Sequence, residues 1–376
     1  MVPADAAYWY SWSQVPGLGS VLLKRLWQHF GDLKTAWEAS VETLGKVEGI
    51  GAKLQGAIAH YRQQCQPLAL YEHHCQQNPH HWVLSDPRYP PLLREIPDPP
   101  PLLYYGGTRI LEILSQPTPT VAIVGTRDPS ESEYAQRWAH KLGYALAQAG
   151  FIVVSGMAAG IDGAAHRGSL EAGGATLAVL ATGVDMIYPP ENRSLYYQIR
   201  ERGGFLSEYP RGVGADRPQF PRRNRIIAGL CRAVIIAEAP YKSGALITAR
   251  YAAEYGRDVY VLPGHLDNHR AKGALSLVNQ GAQIILGEEA LLEQLGHTPP
   301  LDPTPFSAPP PTLSPPQQQI LEAIQQLSQG SNSVAFDDIV QRVPLETGVV
   351  MAELMHLELT GWVEQQPGNR YRKTSR

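Results

Sequence analysis

The 376-residue sequence has few cysteines and no long apolar run. Its three cysteines, Cys65, Cys75 and Cys231, include no C-x-x-C pair, which favours a reducing, cytosolic setting. No apolar segment approaches membrane-spanning length, and the opening residues MVPADAAYWY lack the charged-then-apolar pattern of a secretion signal. We therefore predict a cytoplasmic protein with no membrane partner.

Strong charge and the common nucleotide-binding patterns are also missing. A formal net charge of −3 excludes a uniformly basic protein, so a nucleic-acid site would have to be a local patch. Neither G-x-G-x-x-G nor G-x-x-x-x-G-K-[ST] follows the apolar run at 121–124. The length and a hydrophobic content of 43% still allow two or three domains with well-buried cores.

The stretch from Val121 to Arg167 contains the main signal for the fold. Apolar runs at 121–124 and 151–154 end in the turns Gly125-Thr126-Arg127 and Ser155-Gly156, with a helix-like amphipathic segment between them. This alternation predicts a right-handed parallel crossover, whose ligands bind beyond the carboxyl ends of the strands. Glycine N–H groups, a helix N-terminus and an arginine all suit an anion, so we predict a phosphate site there. A tight turn with a solvated arginine is the alternative.

The same alternation of apolar runs and helix-like segments continues to residue 286. In the proline-rich segment before residue 121 we predict two short strands, at 82–84 and 102–105. After residue 167 we predict a helix at 192–202 and four strands, at 176–181, 233–237, 259–262 and 283–286. The fold class is therefore α/β with a doubly wound sheet.

The first residues of the chain are predicted to form a helical domain with an internal echo. The turns at 15–19 and 47–51 both read apolar-x-Gly-apolar-Gly and both precede a segment with helical apolar spacing. They resemble the helix-hairpin-helix motif, whose glycine turns present backbone N–H groups to a DNA phosphate. A small helical bundle whose turns merely need glycine is the alternative.

The last part of the chain is predicted to be a separate small domain after a linker. Residues 297–316 are rich in proline, which is typical of a semi-rigid extended linker. Helices at 317–327, 336–343 and 345–359, followed by a hairpin around 367–369, predict a winged-helix domain. Its basic closing residues suit DNA, although protein contact or structural packing explains the domain equally well.

A local basic patch lies between residues 211 and 225, where five arginines face one acid, Asp216. Within it, Phe220 stands among Arg217, Arg222, Arg223, Asn224 and Arg225. Aromatic faces that stack bases beside guanidinium groups that hold phosphates are the pattern expected for single strands. The alternative is a solvated charge run with a buried Phe220.

A third glycine turn follows the strand predicted at 233–237. Ser243 and Gly244 precede a helix-like segment that contains Thr248, so they place another helix N-terminus at the carboxyl edge of the sheet. An ordinary helix cap by Ser243 is the alternative.

The ordered set of motifs resembles the DNA-processing protein A family (DprA, also called Smf) over nearly the whole chain. The motifs are GTR at 125–127, SGMAAGIDGAAH at 155–166, YPPEN at 188–192, FPRRNRIIAGL at 220–230, SGALITA at 243–249 and PG at 263–264. Thr126 stands where the family usually has serine, Ala135 replaces a common glycine, and GALSLV at 273–278 lacks the family's usual asparagine. These departures leave the family assignment intact and put the polar contacts of the last loop in doubt.

The resemblance implies an extended Rossmann-like domain that binds single-stranded DNA and dimerises. It also implies a non-enzymatic protein that protects incoming DNA and loads RecA recombinase during natural transformation. The predicted domains are a helical helix-hairpin-helix or SAM-like domain at 1–66, the extended Rossmann-like domain at 67–296, the linker at 297–316 and the winged helix at 317–376. The predicted nucleic-acid-binding residues are Gly125, Thr126, Arg127, Ser155, Gly156, Arg217, Phe220, Arg222, Arg223, Asn224, Arg225, Ser243, Gly244 and Thr248.

The second interpretation is an enzyme, a nucleoside-monophosphate phosphoribohydrolase on a related fold, with Asp162, His166 and Glu171 as acid–base groups. That family typically carries PGGxGTxxE, and the comparable segment here, SGALITAR, has no carboxylate at the matching place. A third interpretation is a scaffold whose sheet binds no ligand. We predict no cofactor and no metal, because neighbouring histidines such as His73 and His74 point in different directions on a helix.

Overall fold

A computed structural model of the chain describes residues 4–128, 133–297, 313–328, 333–359, 362–366 and 368–373. The described residues fall into two compact units, one on each side of the boundary between residues 298 and 299. Most of the predicted linker, 298–312, lies outside the described residues. Within the described ranges, no helix combines the length and apolar composition needed to cross a membrane.

The first unit begins with a layer of helices. They are α1 (Ala4–Ser13), α2 (Ser20–Phe30), α3 (Leu33–Glu38), α4 (Val41–Leu44), α5 (Ala52–Gln64) and α6 (Pro67–Gln77). The two echoing turns have matching backbones, with Gly19 and Gly51 both near φ −81° as the residues before α2 and α5. The helical layer extends past residue 66, because His74 of α6 stacks on Tyr10 of α1 with ring centroids 4.0 Å apart.

A nine-stranded sheet forms the body of the first unit. Its strands are β1 (His81–Val83), β2 (Leu102–Gly106), β3 (Thr120–Val124), β4 (Ile152–Ser155), β5 (Thr176–Val179), β6 (Gly204–Ser207), β7 (Ala233–Ile236), β8 (Asp258–Val261) and β9 (Gln283–Ile284). The order is β1-β2-β6-β5-β4-β3-β7-β8-β9, parallel from β6 to β9, while β1 and β2 are antiparallel. The predicted doubly wound α/β sheet is therefore confirmed.

Helices cover both faces of this sheet. They are α7 (Pro91–Glu95), α8 (Ile110–Ser115), α9 (Tyr134–Gln148), α10 (Ile161–Glu171), α11 (Arg193–Arg202), α12 (Gln219–Leu230), α13 (Gly244–Glu254), α14 (Lys272–Ser276) and α15 (Glu288–Gln294), with single 3₁₀ turns at Pro190–Asn192 and Val278–Gln280. Every residue of β3, β4, β5 and β7 is buried, which explains why these strands read as continuous apolar runs.

Strand β6 was not predicted from the sequence, because the glycines at 203 and 204 are typical of a turn. Gly204 opens this strand because a β-carbon there would lie 2.4 Å from the Ile110 side chain, so close packing of α8 requires glycine. The strand matters for the topology, since β6 joins the parallel strands to the antiparallel β2.

Among its described residues, the second unit contains three helices and a three-stranded sheet. The elements are α16 (Pro315–Leu327), β10 (Val334–Ala335), α17 (Phe336–Arg342), α18 (Thr347–Leu359), β11 (Val363–Gln366) and β12 (Arg370–Lys373), with strand order β10-β12-β11. This confirms the predicted winged helix. Helix α16 starts two residues earlier than predicted, because prolines are tolerated in a first turn that Ser314 and Gln317 cap reciprocally. Pro367 and Arg376 lie outside the described residues.

Candidate nucleic-acid interface

The candidate site lies where the strand order reverses, between β3 and β7. Chain order runs outward from β3 through β4 and β5 on one side and from β7 through β8 on the other. Loops beyond the carboxyl ends of β3 and β7 diverge at such a point and leave a crevice for ligands. A cavity of about 660 Å³ fills this crevice, and we name it the switch-point cavity. Its walls come from the loop after β3, the start of α10, the first turns of α12 and the start of α13.

The turn after β3 forms one wall of the switch-point cavity. A β-carbon at Gly125 would lie 2.6 Å from the Ile161 side chain, so glycine is what lets α10 pack this close. The Thr126 N–H donates to the Glu238 carbonyl oxygen at 2.8 Å, which ties the turn to the loop after β7. Because this N–H already has a hydrogen-bond acceptor, the group of this turn that remains to bind an anion in the cavity is the Arg127 guanidinium.

Phe220 is half-buried and lines the cavity, so it is not a core residue. The Arg127 guanidinium carbon lies 4.5 Å from the centre of its ring, a cation–π contact. Tyr188, whose ring centroid is 5.5 Å from that of Phe220, is 41% exposed. Arg127, Tyr188 and Phe220 also line a second cavity of about 240 Å³ beyond β4 and β5, which we name the middle cavity. Two aromatic faces and a cation therefore separate the two cavities.

The N–H groups of the turn after β4 were predicted to face the anion of a ligand, but they bind a carboxylate of the protein instead. The Asp162 carboxylate accepts hydrogen bonds from the N–H groups of Gly156 and Ala158, at 3.1 and 3.3 Å. Burial raises the pKa of Asp162, and the nearby Arg223 and these N–H groups oppose the rise. The anion at this turn is thus supplied by the protein itself. Ser155 also points inward, where its hydroxyl donates to the Ile123 carbonyl oxygen at 2.6 Å.

Arg223 is buried behind the cavity wall and is only 4% exposed. Its guanidinium donates to the carbonyl oxygens of Gly156, at 2.7 Å, and Val179. Burial lowers the pKa of Arg223 to about 10, although Asp162 opposes the change. A β-carbon at Gly156 would lie 2.4 Å from this guanidinium, so glycine there makes room for the arginine. Arg223 therefore joins the turn after β4 to the end of β5, and it also lines the cavity.

Arg225 was predicted to bind DNA, and the structure gives it a different role. Its guanidinium forms two hydrogen bonds with the Glu208 carboxylate, at 2.8 and 3.2 Å, and an ion pair with Asp98 at 3.2 Å. The residue is buried and does not line the cavity. Because two carboxylates already neutralise it, a phosphate has no access to this charge. The neighbouring Arg222 is exposed but lies outside both cavities.

The start of α13 forms the opposite wall. The Ser243 hydroxyl accepts a hydrogen bond from the Ala245 N–H at 3.2 Å, so Ser243 caps this helix. Gly244 and the buried Thr248, in the first and second turns of α13, also line the cavity. Asn224 crosses from α12 and donates to the Gly244 carbonyl oxygen at 3.0 Å. This wall is polar and uncharged and brings the positive end of a helix dipole to the cavity.

Free positive charge in the switch-point cavity comes from Arg127 and the exposed Arg217. Among the residues that the structure describes, no carboxylate lies within ion-pair distance of either guanidinium. Asp128, at the rim, is instead paired with Arg270 at 2.6 Å. In the part of the chain that the structure describes, the site therefore offers two cations without an acid partner. Tyr188 beside them was not predicted as a site residue, because it lies far from the arginine cluster in the sequence.

The residues proposed for an enzymatic acid–base role do not converge. Asp162 and Glu171 stand at opposite ends of α10, separated by roughly 13 Å along the helix axis. Glu171 is exposed and pairs with His140 at 2.8 Å. His166 is fully buried, its Nδ1–H donating to the Thr176 hydroxyl at 2.7 Å, since that hydroxyl itself donates to the Val153 carbonyl oxygen.

The histidines near the end of α6 also have other partners. His74 bonds the Tyr104 hydroxyl at 3.0 Å, and His81 bonds the Tyr71 hydroxyl at 2.8 Å. Within the described ranges, no group of three or more His, Cys, Asp or Glu side chains is placed to hold a metal ion.

Comparison with known proteins places these features in a family. A family model described as DNA recombination-mediator protein A matches residues 80–296, and one described as the DprA winged helix domain matches residues 304–369. The protein Smf of Synechocystis sp. is 45% identical over an alignment of 404 positions, which covers 99% of this chain and 100% of that protein.

Two solved structures are similar as well. The X-ray structure of DNA processing protein A from Streptococcus pneumoniae is 33% identical with a TM-score of 0.67, covering 77% of this chain and 97% of that one. DNA processing protein A from Helicobacter pylori is 32% identical with a TM-score of 0.51, covering 57% of this chain and 95% of that one. The chain belongs to the DNA recombination-mediator protein A family.

Proposed function

We propose that the switch-point cavity binds single-stranded DNA, and that the protein protects incoming strands and loads RecA recombinase onto them during natural transformation. The observation that carries the DNA-binding proposal is the contact of the Arg127 guanidinium, which has no acid partner among the described residues, with the half-buried Phe220 ring at the cavity wall. The family is one of recombination mediators and not of enzymes. The Helicobacter pylori relative is described by its single-stranded DNA binding mode, which supports the same ligand here.

The chemistry of the cavity suits an unpaired strand better than a duplex. Phe220 and Tyr188 present aromatic faces, and every unpaired base can stack on such a face. Arg127 and Arg217 lie within the same cavity and supply charge for phosphates. Neither aromatic side chain would reach the face of a base that is stacked inside a helix.

RecA loading, dimerisation and a cytoplasmic setting are proposed from the family and not from the geometry of this site. A RecA-loading protein should speed the formation of RecA filaments on strands already coated with single-strand-binding protein. A dimer should show twice the chain mass at tens of micromolar protein without DNA.

The DNA-binding proposal is tested by separating charge from stacking. Arg127→Ala should weaken binding to all single-stranded sequences alike and lower the salt slope, −d(log K)/d(log [salt]), by about 0.7, the value for one phosphate contact. Phe220→Ala should cost about 1–3 kcal/mol of binding free energy with the salt slope little changed.

The controls for this test are matched for charge and exposure. Arg109→Ala removes an exposed arginine that pairs with Glu112 outside both cavities, and should bind as the wild type does. Thermal melting of the Phe220 variant checks that the loss is not one of folding. If both variants bind with wild-type affinity, the cavity is not the DNA site.

A further inference from the structure

A third cavity of about 330 Å³ lies between α11 and the antiparallel strand β2. We name it the α11 groove. Its walls are aromatic, with Tyr105 of β2 on one side and Tyr196 and Tyr197 of α11 on the other. Arg200 of α11 and Arg211 after β6 also line it. The groove repeats, at a second place on the molecule, the combination of aromatic faces and guanidinium groups found in the switch-point cavity.

The aromatic walls of the α11 groove are fixed in place from behind. Tyr196 stacks on Phe205 with ring centroids 4.4 Å apart, and its hydroxyl donates to the Val184 carbonyl oxygen at 2.7 Å. Tyr105 stacks on the buried Trp82 at 4.1 Å. Tyr197, by contrast, is 41% exposed, so its ring is open to a ligand. A preformed wall with one open aromatic face suits a flat, rigid ligand such as a nucleobase.

The charge of the groove is positive. Its acid, Asp185, accepts a hydrogen bond from the Gly212 N–H at 3.0 Å and faces Arg211 at 3.7 Å. Among the described residues, no carboxylate pairs with the Arg200 guanidinium. Arg193 does not line the groove, but its guanidinium carbon lies 5.8 Å from the Tyr197 ring centre and adds positive charge beside that ring. An anionic group beside the base, such as a phosphate, would therefore be stabilised.

One loop connects the α11 groove with the cavities already described. Thr182 and Tyr188 of the loop after β5 line the middle cavity, and Val184 and Ile187 of the same loop line the α11 groove. Met186 and Tyr188, in the same loop, are 36% and 41% exposed, so the loop between the two cavities is open to solvent. From the crevice between β3 and β7 to β6 is about 17 Å, since neighbouring strands lie about 4.8 Å apart.

We propose that the α11 groove is a second nucleotide-binding subsite, which takes the continuation of the single strand held in the switch-point cavity. This inference rests on the proposed single-stranded DNA binding. The strand would pass from Phe220 over Tyr188 and the loop after β5, and would place a base against Tyr197 and a phosphate beside Arg200. Short strands fill the first cavity alone, and longer ones reach both.

The test is a length series of fluorescent oligothymidylates titrated with the full chain. Tyr197→Ala should weaken binding of long strands by roughly fivefold to a hundredfold, the range for loss of one base–aromatic stack, and leave the shortest strands unaffected. Arg200→Ala should lower the salt slope for long strands by about 0.7. Arg127→Ala should weaken binding at every length.

Matched controls come from the same unit. Tyr144→Ala removes an equally exposed tyrosine of α9, and Arg109→Ala removes the exposed arginine that precedes α8; both should bind every length as the wild type does. If Arg127→Ala weakens binding but Tyr197→Ala and Arg200→Ala change nothing at any length, the groove proposal is overturned and the switch-point site stands. If neither Arg127→Ala nor Phe220→Ala weakens binding at any length, the proposed function fails together with the groove proposal.

Two further measurements test whether one strand runs continuously from the switch-point cavity to the α11 groove. An oligothymidylate carrying 5-iodouracil at single positions should crosslink to Tyr197 only from positions several nucleotides away from the one that crosslinks to Phe220. Thymidine monophosphate bound in the groove as tightly as a long strand would make it an independent nucleotide site, and would overturn the continuous path.

Discussion

Replacing Arg223 by alanine should destabilise the first unit, beyond any effect on DNA binding. The change removes a buried guanidinium and, with it, the nearby positive charge that opposes the rise in the pKa of the buried Asp162 carboxyl. Two carbonyl oxygens, of Gly156 and Val179, lose their donor. Each lost hydrogen bond from a charged donor costs about 1.5–3 kcal/mol, so the two together cost about 3–6 kcal/mol.

That cost predicts a large shift in thermal stability. For a unit of this size, each kcal/mol lowers the melting temperature by roughly 2–3 °C, so Arg223→Ala should melt on the order of 10 °C earlier than the wild type. Arg217→Ala is the matched comparison, because Arg217 is exposed and lines the same cavity. It should melt with the wild type, bind single strands more weakly and lower the salt slope by about 0.7.

A double-mutant cycle tests the physical cause. If the buried charges of Asp162 and Arg223 stabilise each other, combining Asp162→Asn with Arg223→Met should cost less than the two single changes added together. Urea unfolding of the four proteins gives this coupling free energy. If Arg223→Ala melts at the wild-type temperature but lowers the salt slope of DNA binding by about 0.7, Arg223 contacts a phosphate and is not a structural residue.

Three further outcomes are expected. Burial lowers the pKa of His166 from 6.5 to about 3, so between these pH values the unfolded chain binds a proton that the folded chain does not. As the pH falls below about 6.5, the free energy of unfolding should therefore fall by up to about 1.4 kcal/mol per pH unit. In urea titrations, His166→Gln should reduce this slope. Arg225→Ala should destabilise the protein by about 3–5 kcal/mol, since Glu208 and Asp98 lose their cation, while its folded fraction binds single strands normally in a titration corrected by circular dichroism. A chain ending at residue 297 should fold and keep most single-strand affinity; loss of nearly all binding would move the main site to the winged helix.

The sheet could be predicted from the sequence because its central strands are buried on both faces and read as uninterrupted apolar runs. The glycine turns after β3 and β4 marked the carboxyl edge for the same reason, since each follows such a run directly. The strand β6 was missed where packing against Ile110, which is distant in sequence, overrides the turn signal of two adjacent glycines. Tertiary contacts of this kind leave no local pattern.

The site shows the same division at the level of single side chains. A run of arginines in sequence indicates charge but not direction, and α12 turns its successive side chains to different sides. Arg223 therefore faces Asp162 within the first unit, and Arg225 faces Glu208 and Asp98. The arginines left facing the switch-point cavity without an acid partner among the described residues, Arg127 and Arg217, come from two loops.

The buried charges also explain how an acidic chain can present a basic cavity. Asp162 occupies the N–H groups of the turn after β4, and Arg223 offsets its charge from behind, so this pair adds little net charge to the cavity. The cavity's field then depends on Arg127 and Arg217, which lie at its surface where they are screened by salt. A strand held mainly by such charges is released as ionic strength rises, whereas one held mainly by Phe220 and Tyr188 is not. The measured salt slope therefore reports how the binding free energy divides between the two.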